Sequence, residues 1–376
     1  MSKRSNGEGS IRLRADGRWE ASLMVTDPVT GKRRRLSWYG KTKTAVREKL
    51  KEAVQRADAD LPVKDAALTV GEWADRWLST VLPSSGRRPS TVDVYASLTR
   101  THVVPVLGRS RLAAVKPSDV DALVSGLACA PSTRRQVHTV LRLLFADAQR
   151  DGLVARNPVE RTRRPSVPPS KPRALTRQQV RAVLGKADGH RHHALLVLVA
   201  TTGLRRGEAL ALRWSDLDGD SGVLRVERNL VRADGHLTFG EPKTTRGHRD
   251  VPVPPSVLRV LAEHRRRQVA ERLACGPDVW QDHGLMFCTE IGTPCEPRNV
   301  SRWYATVCAQ AGVSDTGMHS LRHAAATAML DAGVPVRTVA DVLGHGDVGL
   351  TLNVYAASLP GQAASATAGV ADALGI

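Results

Sequence analysis

Apolar and polar residues alternate from residue 9 to residue 42, in the stretch GSIRLRADGRWEASLMVTDPVTGKRRRLSWYGKT. Three turn-forming dipeptides interrupt the alternation: Asp16-Gly17, Asp27-Pro28 and Thr30-Gly31. The pattern therefore predicts a three-stranded antiparallel sheet. After Thr42, a candidate N-cap, apolar residues recur every four positions at Val46, Leu50 and Val54. This period predicts a helix packed on the sheet, and we place the first domain at residues 1–62.

The next segment, residues 66–160, has apolar residues spaced three and four apart in several stretches that each begin at a helix-start signal. Pro89 and Pro131 supply two of these signals, and Gly152 supplies a stop. The pattern predicts a compact bundle of about four or five helices. Residues 161–173 are rich in proline and basic residues and have no periodicity, which predicts an extended, semi-rigid linker.

The last and largest segment, residues 174–376, mixes helical and strand patterns. LTRQQVRAVLGKA predicts a capped helix, and HHALLVLVATTGLRRGEALALRWSDLD predicts a buried helix, a turn and a second helix. Short strand patterns fill residues 222–252, and helices resume with PPSVLRVLAEHRRRQVAERLA. The chain is therefore predicted to be a multidomain α+β protein, mainly α with small β-sheets.

Charge and composition narrow the class of partner. The 376 residues include 55 Lys and Arg against 37 Asp and Glu, a net charge of +18, so polyanions are the leading candidates. No run approaches the roughly 18 consecutive apolar residues of a membrane span, and the N-terminus has no signal-peptide pattern. We therefore expect a cytoplasmic protein with no membrane partner. The five cysteines include no C-x-x-C pair, so we expect reduced thiols and no structural zinc.

Positive charge is concentrated at the start of the chain, where the first 64 residues contain 16 Lys and Arg and 8 Asp and Glu. A small basic sheet can lie in a DNA groove, and the alternative is a solvated sheet that only adds stability. The candidate DNA-binding residues are arginines of the predicted sheet and of the last helix of the bundle: Arg12, Arg14, Arg18, Arg33, Arg34, Arg35, Arg134 and Arg135.

Two stretches of the last segment place basic side chains beside turns. In TGLRRGEALALRW, Arg205 lies in a glycine-bounded turn before a helix, and Glu208 could orient it by a bidentate carboxylate contact. The alternative is an ordinary surface turn. In EPKTTRGHRDVPVP, Lys243 lies on a predicted hairpin. The alternative is an ordinary solvated lysine at a strand edge.

Two further stretches combine histidines with an arginine or a tyrosine. MHSLRHAAATAML sets His319, Arg322 and His323 in the first turns of a helix, where full positive charges are unfavourable by about 0.3 to 1 kcal/mol each. A helix N-terminus beside an arginine does fit a phosphate. VADVLGHGDVGLTLNVY ends a helix near His345 and continues to Tyr355. Each residue alone has a structural explanation as a cap or core group, but the set is improbable by chance.

These four stretches, in this order, resemble the signature segments of the tyrosine recombinases, and most of all the phage and integrative-element integrases of actinobacteria. The resemblance covers about residues 170–360 strongly, while the two earlier segments resemble the arm-binding and core-binding domains of that family. It implies phosphate-clamping roles for Arg205 and Arg322, active-site roles for Lys243, His319 and His345, and a nucleophilic role for Tyr355. Glu208 and His323 would be supporting residues. Ser320 and Ala357 depart from the residues common in the family, at positions that are not catalytic.

The resemblance also implies the reaction and its partners. The chain is expected to be a tyrosine-type site-specific DNA recombinase that acts through a 3′-phosphotyrosyl intermediate and a Holliday junction, integrating or excising a mobile element. Its partners would be double-stranded DNA attachment sites and three further copies of itself in a tetramer on DNA, at the bacterial nucleoid. A host DNA-bending protein and an excision factor stay open as partners. No cofactor is expected and no metal, because the histidines of GHRHHAL have no matching acidic or cysteine ligands.

Two alternatives use the same fold. A type IB topoisomerase would perform the same chemistry without exchanging partners, but the separate basic N-terminal segment argues against it. A catalytically silent DNA-binding regulator would keep the fold for binding alone, but the complete catalytic set argues against that. The tail AASLPGQAASATAGVADALGI has few charges, and it could be a frayed end or a segment that packs on a neighbouring copy.

Overall fold

A computed structural model describes residues 9–26, 33–58, 68–168, 174–233, 235–242, 245–314, 316–344, 371 and 374–375. The chain divides into two compact units, Met1–Pro169 and Ser170–Ile376. This division falls within the predicted linker. The predicted boundary between the first two domains lies inside the first unit and stays a prediction.

The first unit begins with the predicted three-stranded antiparallel sheet, whose strands lie in the order β1, β2, β3. The strands and the helix that follows are β1 (Ser10–Leu13), β2 (Trp19–Thr26), β3 (Arg33–Gly40) and α1 (Lys43–Asp58). Thr42 caps α1, accepting a hydrogen bond from the backbone N–H of Ala45 at 3.2 Å. Ala21 and Leu23 of β2 are buried against Val46 and Leu50, so one face of the sheet is covered as the periodicity predicted.

The rest of the first unit is helical, as predicted. Its helices are α2 (Val70–Arg76), α3 (Pro89–Leu98), α4 (Val104–Leu107), α5 (Pro117–Gly126) and α6 (Pro131–Arg150). A π-helical turn continues α2 through Val81, and another joins α3 to α4. Trp73 and Trp77 are fully buried, and their indole N–H groups donate to the Leu144 carbonyl at 3.0 Å and to the Asp147 carboxylate at 2.7 Å. These contacts fix α2 against α6.

The second unit combines seven described helices with two small sheets. The helices are α7 (Arg177–Lys186), α8 (His193–Thr202), α9 (Arg206–Leu210), α10 (Pro255–Cys275), α11 (Pro297–Gln310), α12 (Met318–Asp331) and α13 (Val336–Leu343). The strands are β4 (Leu217–Asp218), β5 (Val223–Val226), β6 (Asn229–Ala233), β7 (His236–Gly240) and β8 (Arg249–Pro252). One antiparallel sheet has the order β4, β5, β8, and β6 pairs with β7. The core forms around α8, whose HALLVLVATT sequence is apolar almost all round.

The turn after α8 leads into the second helix, as the sequence predicted. This helix, α9, has only 5 residues. Residues 209–212 are all buried, and the chain leaves the helix at Ala211 to pass into β4. A short buried apolar run does not distinguish a helix from a buried turn by periodicity, so the sequence did not predict the length of α9. Among the residues that the structure describes, no helix is long and apolar enough to cross a membrane.

We predict that Trp73→Ala destabilises the first unit by about 3 to 5 kcal/mol, because it removes a fully buried indole that packs in the helical core and binds α6. Urea denaturation of the full chain, followed by far-ultraviolet circular dichroism, measures the loss. Val106→Ala is the control, since Val106 is exposed on α4. Equal stability losses in the two variants would contradict the packing role assigned to Trp73.

Candidate active site

The site begins at the turn between α8 and α9. Gly203 ends α8 with φ +68°, a left-handed conformation that favours glycine, and Arg205 then caps the N-terminus of α9. Glu208 accepts hydrogen bonds from the backbone N–H of Arg205 at 3.0 Å and from its Nη1 at 2.6 Å. The sequence predicted that Glu208 orients Arg205. It does so with one oxygen on the guanidinium and the other on the backbone, instead of the expected bidentate contact.

Arg249 of β8 is a second guanidinium on the same carboxylate, and the sequence analysis did not identify it. Its Nη2 donates to Glu208 Oε2 at 3.0 Å, and its side chain is 7% exposed. Its Nε donates to the carbonyl of Val342 at 2.7 Å, and Nη1 donates to that of Gly247 at 3.0 Å. Its place in the stretch that contains Lys243 is a sequence signal, but this signal does not reveal partners that are distant in sequence.

Glu208 is 1% exposed and is charged in this setting. Burial raises the pKa of its carboxyl, but the charge and hydrogen bond of Arg249, together with the charge and backbone hydrogen bond of Arg205, outweigh burial and leave the pKa below its ordinary value. A buried carboxylate is tolerated only when it is paired and hydrogen-bonded, as it is here.

Arg322 of α12 is 2% exposed and reaches across to two other elements. Its Nη1 donates to the Gly203 carbonyl at 2.7 Å, and its Nη2 donates to the Leu343 carbonyl at 2.8 Å. Arg205 Nη2 donates to the Gly344 carbonyl at 3.1 Å. With Arg249 on Val342, three guanidinium groups therefore bind three successive carbonyls at the end of α13. A helix C-terminus exposes unpaired carbonyls and partial negative charge, so cationic donors suit it.

His319 and His323 lie one turn apart at the start of α12, with ring centroids separated by 4.5 Å in an edge-to-face arrangement. Burial, then the charges of Arg322 and Arg205, lower the pKa of His319. Burial, then His319 and Arg322, lower the pKa of His323 to about 4. Both imidazoles are therefore neutral near pH 7, and a neutral imidazole can accept a proton.

The structure brings together five of the predicted site residues: Arg205, Glu208, His319, Arg322 and His323. Lys243, His345 and Tyr355 lie outside the described residues. Gly344, the last described residue before His345 and Tyr355, is bound to Arg205, and Tyr355 follows it by eleven positions in the sequence. The described part of the site is thus a set of arginines that meet at one helix end, with a buried carboxylate and two neutral histidines close to them.

The six candidate DNA-binding arginines of the N-terminal sheet are divided by the strand register. Arg12, Arg33 and Arg35 share the face opposite α1 with Tyr39, while Arg34 alternates to the other face. Arg14 and Arg18 flank the turn at residue 16, where Arg18 Nη2 lies 2.9 Å from a carboxylate oxygen of Asp16 and the Arg14 guanidinium lies 5.2 Å from the Tyr39 ring centroid. The exposed Tyr39 was not among the predicted residues.

The two candidate arginines of the helical bundle lie together on α6. Arg134 and Arg135 are both half-buried in the first turns of that helix. Arg134 Nε donates to the Leu127 carbonyl at 3.0 Å. This contact helps to hold the connection between α5 and α6, so Arg134 has a structural role in addition to the one predicted for it.

Comparison with known proteins identifies the family. Residues 173–361 match the model of the phage integrase family. A tyrosine recombinase XerC-like protein of Caldanaerobacter subterraneus subsp. tengcongensis is 30% identical, over 93% of this chain and 94% of its own length. An integrase of Streptomyces ambofaciens is 32% identical, over 94% of this chain and 93% of its own length. This chain belongs to the phage integrase family of tyrosine recombinases.

Solved structures of other integrases have the same fold as this chain. The Tn1549 transposon integrase in complex with transposon right end DNA has a TM-score of 0.63 and 21% identity, over 77% of this chain and 95% of that one. A lambda integrase tetramer bound to a Holliday junction has a TM-score of 0.60 and 19% identity, over 90% of this chain and 95% of that one. The family resemblance, the mainly helical fold with small sheets and the prediction of a tyrosine-type site-specific recombinase are confirmed.

We predict that Gly203→Ala destabilises the recombinase more than Gly189→Ala does. Both glycines have positive φ, +68° and +72°, so both variants bear the left-handed backbone cost of about 1 to 2 kcal/mol. A Cβ at position 203 would also lie 2.4 Å from Leu343 Cδ2, which is fully buried, whereas position 189 has open space. The difference in thermal denaturation midpoint isolates this clash, and equal midpoints would contradict it.

The pKa of His323 gives a pH prediction. Unfolded histidine titrates near pH 6.5, whereas native His323 has a pKa of about 4, so the unfolded state binds more protons between these values. Its contribution to stability is therefore complete above about pH 6.5 and is lost as the pH falls to about 4. His323→Gln should therefore reduce the change in the free energy of unfolding with pH across this window, measured by urea denaturation at each pH. His236→Gln, at an exposed position of β7, is the control and should keep the parental slope.

Proposed function

We propose that this recombinase cleaves one strand of each DNA partner through Tyr355, with Arg205 and Arg322 stabilising the reacting phosphate. The observation that carries the proposal is the convergence of both arginines on the end of α13, from which the chain continues to Tyr355. Strand exchange that conserves bond energy needs a covalent intermediate, and a side-chain nucleophile supplies one. The Tyr355 hydroxyl oxygen would bond to phosphorus, and the bond from phosphorus to the 5′ oxygen would break.

The reaction needs two proton transfers, and each requires a residue. An unperturbed tyrosine has a pKa near 10, so ionising it at pH 7 costs about 4 kcal/mol and calls for a base. We assign that role to His319, which burial and two neighbouring arginines keep neutral. Lys243 would protonate the departing 5′ oxygen. The freed 5′ hydroxyl then attacks the phosphotyrosine of the partner strand, and two such exchanges make and resolve a Holliday junction.

We propose that the arginines and His345 stabilise the negative charge of the transition state. The transition state gathers negative charge on the non-bridging phosphate oxygens, and preorganised donors lower its energy. The Arg205 side chain is 29% exposed while its Nη1 is fixed by Glu208, so the group is both oriented and open to a ligand. Arg322 is buried, and its two carbonyl contacts fix a second positive charge.

The other domains would supply DNA binding. We assign residues 1–62 to arm-type sites and residues 66–160 to core sites, with residues 161–173 as the linker. The support is the open sheet face, where Arg12, Arg33 and Arg35 share one side of the sheet with an exposed tyrosine. Two DNA-binding domains on one chain would bind separate sites at once, which raises the effective concentration. Contacts of Lys and Arg with phosphates would make binding strongly salt-dependent.

The assembly proposed for this chain is a homotetramer on two attachment sites at the nucleoid. The support is the related lambda integrase, whose tetramer is bound to a Holliday junction. If arm and core sites lie on one duplex, the intervening DNA must bend, and bending 20 to 30 base pairs costs on the order of 1 to 6 kcal/mol. A host DNA-bending protein and an excision factor would offset that cost, so we include both as proposed partners.

Covalent trapping tests the chemistry. Labelled DNA from the region flanking the gene, nicked near candidate sites, is incubated with the recombinase and a chelator and run on a denaturing gel. The parent should give a protein-linked band that Tyr355→Phe abolishes, whereas Tyr304→Phe, a tyrosine on α11, should retain it. Arg205→Lys should slow band formation by about 10² to 10³ fold, the scale of losing one preorganised donor.

The trapping assay also distinguishes the proposal from its rivals. Specific binding of this DNA by the parent without any covalent band would support a silent DNA-binding regulator. A band accompanied by rapid relaxation of any supercoiled plasmid, at far less than one protein per plasmid, would support a topoisomerase activity. A band retained in Tyr355→Phe would reject Tyr355 as the nucleophile.

A further inference from the structure

We infer that Arg249 is a positioning residue of this active site: its guanidinium joins Glu208 to the end of α13 and thereby holds Arg205 in place for the phosphate. The inference rests on the function proposed above. It adds a residue that acts on the reaction through its neighbours.

The contacts of Arg249 connect elements that are far apart in sequence. Nη2 binds Glu208 on α9, Nε binds the Val342 carbonyl 93 residues away, and Nη1 binds the carbonyl of Gly247 beside its own strand. The rigid planar guanidinium sets the directions of all three bonds together. A displacement of β8 therefore displaces Glu208 and the end of α13 at once.

Burial separates Arg249 from the groups proposed to touch DNA. Its side chain is 7% exposed, compared with 29% for Arg205, although both bind the same carboxylate. Arg249 faces the interior and Arg205 faces the solvent. Because Glu208 binds both groups, the position of the buried Arg249 guanidinium determines that of the accessible Arg205 guanidinium.

Close packing leaves the guanidinium little freedom to move. A Cβ added at Gly344 would lie 2.9 Å from Arg249 Nη1, so the backbone approaches the guanidinium this closely because glycine stands at this position. The same Gly344 provides the carbonyl that binds Arg205, so the two guanidinium groups meet at one residue of the chain.

The test compares Arg249→Met with Arg191→Met in single-turnover cleavage of nicked DNA at saturating concentration. Arg191 is the matched control, since it is also mostly buried and paired with a carboxylate, that of Glu271, away from the described site residues. Arg249→Met should lower the cleavage rate by about 10² fold, the scale expected for a misplaced catalytic group, with an unchanged DNA dissociation constant. Arg249→Lys should recover part of the rate, because an ammonium keeps the charge but not the three fixed directions.

A double-mutant cycle supplies a readout that a merely structural role would not move. If Arg249 acts through Glu208, then Arg249→Met combined with Glu208→Gln should cleave no more slowly than the slower single variant. Arg191→Met combined with Glu208→Gln should instead multiply the separate losses. Thermal denaturation of every variant normalises the rates to folded protein.

Three outcomes overturn the inference. Unchanged cleavage by Arg249→Met rejects it, and so does a loss that multiplies with that of Glu208→Gln. A rise in the DNA dissociation constant with an unchanged rate at saturation rejects it too, because Arg249 would then act in binding. If the parent binds DNA but gives no covalent band, the proposed function itself fails and the inference fails with it, a result distinct from the other three.

Discussion

The carboxylate of Glu208, buried between two guanidinium groups, fixes the geometry on which the rest of this site depends. Removing one partner of a buried ion pair typically costs 3 to 5 kcal/mol, because the remaining charge keeps its desolvation penalty and loses its compensation. Here the carboxylate has partners on the α9 turn and on β8, so the two elements are held at one distance by paired charge. If either arginine shifted, the buried carboxylate would lose one of the two guanidinium groups that compensate its desolvation.

The end of α13 is the second part of this arrangement, and it links the fold to the chemistry. Helix ends are usually satisfied by glycine turns, water or side chains of nearby residues. The carbonyls of Val342, Leu343 and Gly344 instead accept from arginines of β8, α12 and the α9 turn. The place where the chain departs toward Tyr355 is therefore defined by the same residues that we assign to the phosphate and to its support.

The sequence predicted the parts of this site that depend on local pattern. The turn at Gly203, the place of Arg205 just before a helix and the placement of His319 and Arg322 on one helix follow from spacing and helix signals. The length of α9 does not, because a short buried apolar run fits a helix or a turn equally well. Arg249 could not be found this way, since its partners lie 41 and 93 residues away and only the folded chain brings them together.

From the sequence, the basic cluster at the start of α12 places positive charges at the positive end of the helix dipole, which is unfavourable. The structure removes most of this conflict. Burial keeps His319 and His323 neutral, so Arg322 is the one full charge among these three residues. Its guanidinium binds the Gly203 carbonyl at the end of α8 and the Leu343 carbonyl at the end of α13, which are the negative poles of two other helices. The local penalty is thus offset by two favourable helix-end contacts, and the positive charge is fixed where we propose that the reacting phosphate binds.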